Sequence, residues 1–286
     1  MAHKLKVRDS LTVKQTITFK RKANWIRNQI LEMAIKAGAG HIAPAFSCVE
    51  ILVTLYYGGV LRVNPRDPKW ESRDRFVLSK GHAAMTLYVI LADLGFFPIS
   101  ELMNFTQNGS RLGGHVEDNV SGVEAFTGSL GHGLSIATGI ALSGKLDRKK
   151  HICVSLLGDG ECHEGSTWEA AMFAGYRGLN NLVAIVDHNG LSATNFLNKY
   201  LDVTPLQEKW KSFGWDTIIV KGHSFPELLP LLKGLHSRSS KRPLAVIALT
   251  TKGKGVSFME SNPIWHYRIP VGEELDRARK DLTLRK

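Results

Sequence analysis

The chain reads as an α/β protein with a doubly wound, mainly parallel sheet flanked by helices, and three observations predict it. Short apolar runs at His151–Leu157, Leu182–Asp187, Thr217–Val220 and Ala245–Leu249 alternate with longer stretches at helical spacing, the pattern that builds a parallel sheet covered on both faces. Gly158-Asp159-Gly160 follows one apolar run, and Asn189 closes the next, 189 − 159 = 30 residues beyond the aspartate. That matches a strand, a crossover helix and a second parallel strand, which take roughly 30 residues. Finally, 286 residues with 43% hydrophobic content are enough for one full core.

In chain order, Lys22 to Ala37 places Trp25, Ile26, Ile30, Leu31, Met33 and Ala34 on one helical face, ending at Gly38-Ala39-Gly40 as a cap. Ser47 is placed to cap a second helix through Tyr57, with Glu50 completing a capping box. The charged, proline-bearing stretch Asn64–Asp74 is a surface connection, and Arg75–Leu78 a short strand delivering Ser79-Lys80-Gly81-His82. Ala83–Leu94 is apolar enough for a buried helix, and Ile99–Asn104 predicts a short one. Seven glycines from Gly109 to Gly133 then mark a long irregular region of close backbone approach. Helices follow at Leu134–Leu146, Glu164–Arg177, Pro205–Phe213 and Pro226–Leu232. The whole chain, 1–286, reads as a single domain, with 1–20 and 271–286 as peripheral tails.

Composition narrows the class. The N-terminal stretch has no apolar core for a signal peptide, and no window approaches the roughly 18 apolar residues of a membrane span. The three cysteines, Cys48, Cys153 and Cys162, lack paired spacing, so a reducing cytoplasmic setting is expected. The net charge of +11 reads as solvated surface that also attracts anionic metabolites. Nucleic acid is a poor partner for it, because the basic residues are not interleaved with aromatics along one segment.

Asp159 and Asn189 would leave the carboxyl ends of two strands, where open α/β sheets bind ligands. A carboxylate and an amide oxygen are hard ligands suited to Mg²⁺ or Ca²⁺ bridging to a diphosphate. Asp-Gly after a strand is by itself a common turn; the pairing with Asn189 is what makes it a site. Among 11 histidines, His41, His82, His115 and His132 all follow glycine ahead of the aspartate. Zinc would need paired ligand spacing that the histidines lack. Cys162-His163-Glu164 could be an activated thiolate at a helix start, but reads more simply as a small core filler.

As a set, Gly40-His41-Ile42-Ala43-Pro44, Ser79-Lys80-Gly81-His82-Ala83, Gly114-His115-Val116-Glu117, Thr127-Gly128-Ser129-Leu130-Gly131-His132-Gly133 and Gly158-Asp159-Gly160 through Asn189 resemble the N-terminal half of transketolases. The resemblance runs from about Ala34 to His266. It implies the thiamine diphosphate-binding fold of the diphosphate-binding type. It further implies that Asp159, Asn189 and the Leu191 carbonyl hold Mg²⁺ or Ca²⁺, and that Gly158, Gly160 and His82 face the diphosphate. By the same likeness Gly128, Ser129 and Leu130 lie along the cofactor rings, and Glu164 joins a carboxylate network between paired cofactor sites. His41, His115 and His266 would act on the sugar. Where the family usually has glycine after its last site histidine, Tyr267 follows His266.

The chain ends where a full transketolase would continue into the pyrimidine-binding domain, which supplies a glutamate to the aminopyrimidine ring and an arginine to the sugar phosphate. The expectation is therefore the N-terminal subunit of a split transketolase, inactive alone. With a C-terminal partner it would form an α₂β₂ heterotetramer that moves a two-carbon ketol unit from a ketose to an aldose. The alternatives are an α subunit of another thiamine diphosphate enzyme acting on 2-oxo acids, against which the histidine series argues, or a non-catalytic cofactor-binding protein.

Overall fold

The computed structural model describes residues 12–199 and 201–283. Five strands, β1 (Arg75–Leu78), β2 (Cys153–Gly158), β3 (Leu182–His188), β4 (Asp216–Lys221) and β5 (Leu244–Leu249), form one sheet in the order β1-β2-β3-β5-β4. Every pairing is parallel. The interior strand β2 is buried at every position and the central β3 at all but His188, as expected of parallel strands covered on both faces.

One face carries α1 (Val13–Ala37), α2 (Ile42–Ser47), α3 (Val49–Tyr57), α4 (Ala84–Asp93) and α8 (Phe225–Lys233); the other carries α5 (Gly133–Leu146), α6 (Gly165–Tyr176) and α7 (Leu206–Ser212). The first face packs Ile26, Ile30, Phe46, Leu52 and Tyr88 against Val154, Ile185 and Val246. The second packs Trp210 and Trp215, with ring centroids 4.7 Å apart, beside the half-buried Trp168. Strand side chains alternate between these layers. Among the described residues no helix is long and apolar enough to cross a membrane.

Three expectations change. The first helix begins nine residues before Lys22 (22 − 13 = 9), at Val13, where Thr12 and Gln15 form a reciprocal capping box. Its first turns are polar, and Val13 is 78% exposed, so no apolar period announces them. Ser47 does not cap the following helix: it closes α2, and its hydroxyl donates to Asp187 Oδ2 at 2.5 Å. Glu50 likewise serves a buried pair with Arg27 at 2.7 Å rather than a capping box. Of the expected tails, residues 1–11 and 284–286 lie outside the described residues. Much of the C-terminal one is helix α9 (Glu273–Asp281), which buries Ala278 and leads to buried Leu282, whose carbonyl accepts from Asn24 at 2.6 Å.

Candidate active site

The loops leaving the carboxyl ends of β1, β2, β3 and β5 converge, and the turn between α1 and α2 faces them. Asp159 follows β2 immediately and is 1% exposed. Its Oδ1 accepts from the Gly160 amide at 2.9 Å, and its Oδ2 from the Gly190 amide at 2.6 Å. Oδ2 also lies 3.0 Å from His188 Nδ1, and this bond raises the His188 pKa. Asn189 Oδ1 accepts from the Leu191 amide at 3.1 Å, so Asp159, Asn189 and Leu191 sit on adjoining turns.

Four histidines gather beside them. The His41 ring lies 5.6 Å from His82, 5.4 Å from His115 and 5.2 Å from His266, centroid to centroid, and His82 lies 5.6 Å from His266. His132 stays outside this group, exposed at the start of α5. Tyr88 holds the His115 loop by donating to the His115 carbonyl at 2.8 Å and accepting from the Glu117 amide at 3.1 Å.

Burial, with the neighbouring charges of His115, Lys252 and Lys80, lowers the His41 pKa to about 4. Burial and Lys252 lower that of His266 to about 3. His82 is pushed well below its usual range by burial and then by Lys80. At neutral pH these three rings are uncharged, able to accept or donate a proton. Lys252 Nζ donates to the Ser192 carbonyl at 2.6 Å and meets His266 Nδ1 at 2.8 Å. An ammonium is a donor only, so Nδ1 is the acceptor and the His266 proton sits on Nε2.

The remaining expected cofactor residues line the same edge. In the glycine loop Thr127 Oγ1 donates to the Leu78 carbonyl at 2.6 Å, and a side chain at Gly81 would stand 1.5 Å from the Thr127 carbonyl oxygen. The His82 turn and the Gly128-Ser129-Leu130 segment are thus locked backbone to backbone. Gly131, at φ +84, would place a Cβ 2.6 Å from that of Glu164, which is itself exposed at the start of α6.

Two buried ionic groups hold these loops and were missed from sequence. Lys80 and Asp187 form an ion pair with side chains 1% and 0% exposed. Ser47 and Thr250 donate to the same carboxylate, and Lys80 reaches the Pro44 carbonyl at 3.1 Å. One signal was available: an aspartate ending an otherwise apolar strand must find a cation. Glu161, two residues after Asp159, accepts from Ser79 and the amides of Gly131, at 2.9 Å, and Gly158, at 3.1 Å. Nothing in a single sequence separates it from a surface glutamate. Cys162 is buried and its thiol is pushed far up by burial, which leaves it inert packing.

The donor set fits a divalent cation carrying a diphosphate. Its oxygens are hard and its carboxylate is buried, and a side chain at Gly190 would meet nothing within 4 Å, which leaves room beside them. His41 Nδ1 is buried with no hydrogen-bond partner among the described residues, as befits a nitrogen kept for a ligand. The Asp159 and Asn189 turns, a glycine loop and uncharged histidines at one sheet edge are the arrangement of a diphosphate-binding domain of a thiamine diphosphate-dependent enzyme. Residues 18–283 match the family model described as the transketolase, thiamine diphosphate binding domain. The chain belongs to the transketolase family.

The apulose-4-phosphate transketolase subunit of Phocaeicola vulgatus is 37% identical over 271 residues, covering 95% of this chain and 96% of that protein. Transketolase of Mus musculus is 40% identical over 248 residues, covering 86% of this chain but 39% of its own length. The crystal structure of Campylobacter jejuni transketolase superposes with a TM-score of 0.87 at 30% identity, over 95% of this chain and 43% of that one. The chain therefore spans about two-fifths of the full-length transketolases it matches.

Proposed function

We propose that this chain is the N-terminal, cofactor-binding subunit of a two-chain transketolase. The observation that carries the reading is the cluster of uncharged histidines around His41, set beside the Asp159 and Asn189 turns. Two relatives of matching length are subunits by name: the apulose-4-phosphate transketolase protein above, and the 6-deoxy-6-sulfo-D-fructose transketolase subunit of a Clostridium species, 37% identical over 265 residues. Mouse transketolase extends well beyond the portion matched by this chain.

In this reading Asp159, Asn189 and the Leu191 carbonyl hold Mg²⁺ or Ca²⁺, while Gly158, Gly160 and His82 face the diphosphate. Gly128, Ser129 and Leu130 line the cofactor rings, and Glu164 points toward a paired site. Thiamine diphosphate supplies the carbanion-stabilising carbon when bound. The protein's own groups manage protons and orientation. His41, uncharged and with a buried nitrogen that has no partner among the described residues, takes or returns a proton at a sugar hydroxyl. His266 offers its Nε2–H to a second oxygen because Lys252 occupies Nδ1, and His115 holds a donor hydroxyl. A C-terminal subunit carrying the pyrimidine-binding domain completes the site, in an α₂β₂ assembly in the cytoplasm. Its substrates are sugars or sugar phosphates.

Donor choice tests the reading. The subunit pair should transfer a two-carbon unit from ketoses when supplied with thiamine diphosphate, and Asp159→Ala should abolish cofactor retention. Release of CO₂ from 2-oxo acids with no ketol transfer, or normal cofactor binding by Asp159→Ala, contradicts it.

A further inference from the structure

Tyr267, a large ring, follows His266, where the transketolases that the motifs resemble usually carry glycine. The Tyr267 ring packs edge-on against His41, with centroids 4.6 Å apart and planes at 63°. It remains 55% exposed, so it covers His41 from the outer side of the cluster rather than joining the core.

The ring is held on a firm base. Before it, Lys252 fixes His266, and Trp265 is buried against Phe258 at 4.9 Å. After it, the Arg268 guanidinium lies 4.5 Å above the Trp265 ring and pairs with Glu274 at 2.6 Å. These contacts fix the backbone on either side of Tyr267, and its ring stands between the His41 ring and the outside of the cluster.

We propose that Tyr267, by its packing on the outer side of His41, is a specificity-determining residue of the sugar site, a wall that favours short ketose donors over long ones. The proposal rests on the ketol-transfer reading above. A ring excludes atoms by volume, so the discrimination is steric and resides in the differential fit of the transition state, expressed in kcat/KM ratios.

The test compares kcat/KM for a short and a long ketose donor in the complex of this chain with its co-purifying C-terminal subunit. Tyr267→Gly should shift the ratio toward the long donor by roughly tenfold, the scale of a steric change in a pocket. Tyr267→Leu should fall between, and Tyr267→Phe, which keeps the ring, should match the unsubstituted protein. Thiamine diphosphate affinity should be unchanged in all three. An unchanged ratio in Tyr267→Gly, or an equal loss for both donors, overturns the proposal while leaving ketol transfer intact. Absence of transfer from any ketose by the unsubstituted complex would instead overturn the underlying reading, and this proposal with it.

Discussion

Glu161 Oε1 accepts a hydrogen bond from the backbone amide of Gly131 at 2.9 Å, joining the turn after β2 to the glycine loop. The same carboxylate accepts from Ser79 at the end of β1 and, through Oε2, from the Gly158 amide at 3.1 Å. One buried side chain thus sets the spacing of three of the loops that would hold the cofactor. Burial raises its pKa, against the pull of those three donors.

Glu161→Gln should disturb that spacing while keeping the side chain's shape. The amide has one acceptor oxygen and an NH₂ group, so one of the two facing N–H donors loses its partner. Hydrogen bonds to a charged group contribute about 1.5–3 kcal/mol, so cofactor affinity should drop by tenfold or more. Titration of thiamine diphosphate into the subunit complex measures it; an unchanged affinity would show that Glu161 does not position the loops.

The Lys80–Asp187 pair makes a separate, stability-level prediction. Both ions are fully buried and mutually compensated, so Lys80→Met strands a carboxylate and should destabilise the fold by about 3–5 kcal/mol. Asp187→Asn added to it should recover part of the loss, since the residual charge is gone and Ser47 and Thr250 retain a partner. Denaturant titration of the single and double variants reads the coupling; strictly additive losses would mean the ions act independently.

The depressed histidines make stability fall toward acid. His41 and His266 have folded pKa values of about 4 and 3 against 6.5 for the free side chain. Above 6.5 neither folded nor unfolded chain binds the proton, so these groups contribute no pH dependence. Below it the unfolded state gains protons that the folded state refuses, and stability falls as pH drops. The paired carboxylates Glu50 and Asp74, held near 2, add their own loss only below about 4.5, the usual carboxyl range. Chemical denaturation between pH 6.5 and 4.5 should therefore show a slope that the double variant His41→Asn, His266→Asn flattens. A slope unaltered by that variant would place the titrating groups elsewhere.

The arrangement was largely legible where local chemistry and fold agree. Strand positions and the Asp159–Asn189 spacing followed from apolar runs and crossover length, because a parallel sheet permits few other geometries. His41, His82, His115 and His266 could be named, but only folding reveals that His41 sits at their centre and that three of them are uncharged. Lys80, Asp187 and Glu161 escaped because burial turns an ordinary charge into a structural tie, and burial is a property of the whole chain. Ser47 was misread for the same reason: a hydroxyl near a helix start satisfies the capping pattern locally, while the Asp187 carboxylate, 140 residues away, claims it.

The central claim is that this chain is one half of a transketolase site. Thiamine diphosphate-dependent ketol transfer, measured for the chain alone and again with its C-terminal partner, tests it most directly. The expected result is no transfer alone, restoration when both subunits are present, and loss of turnover in His41→Ala with cofactor still bound. Full activity from the isolated chain, or undiminished turnover in His41→Ala, would contradict it.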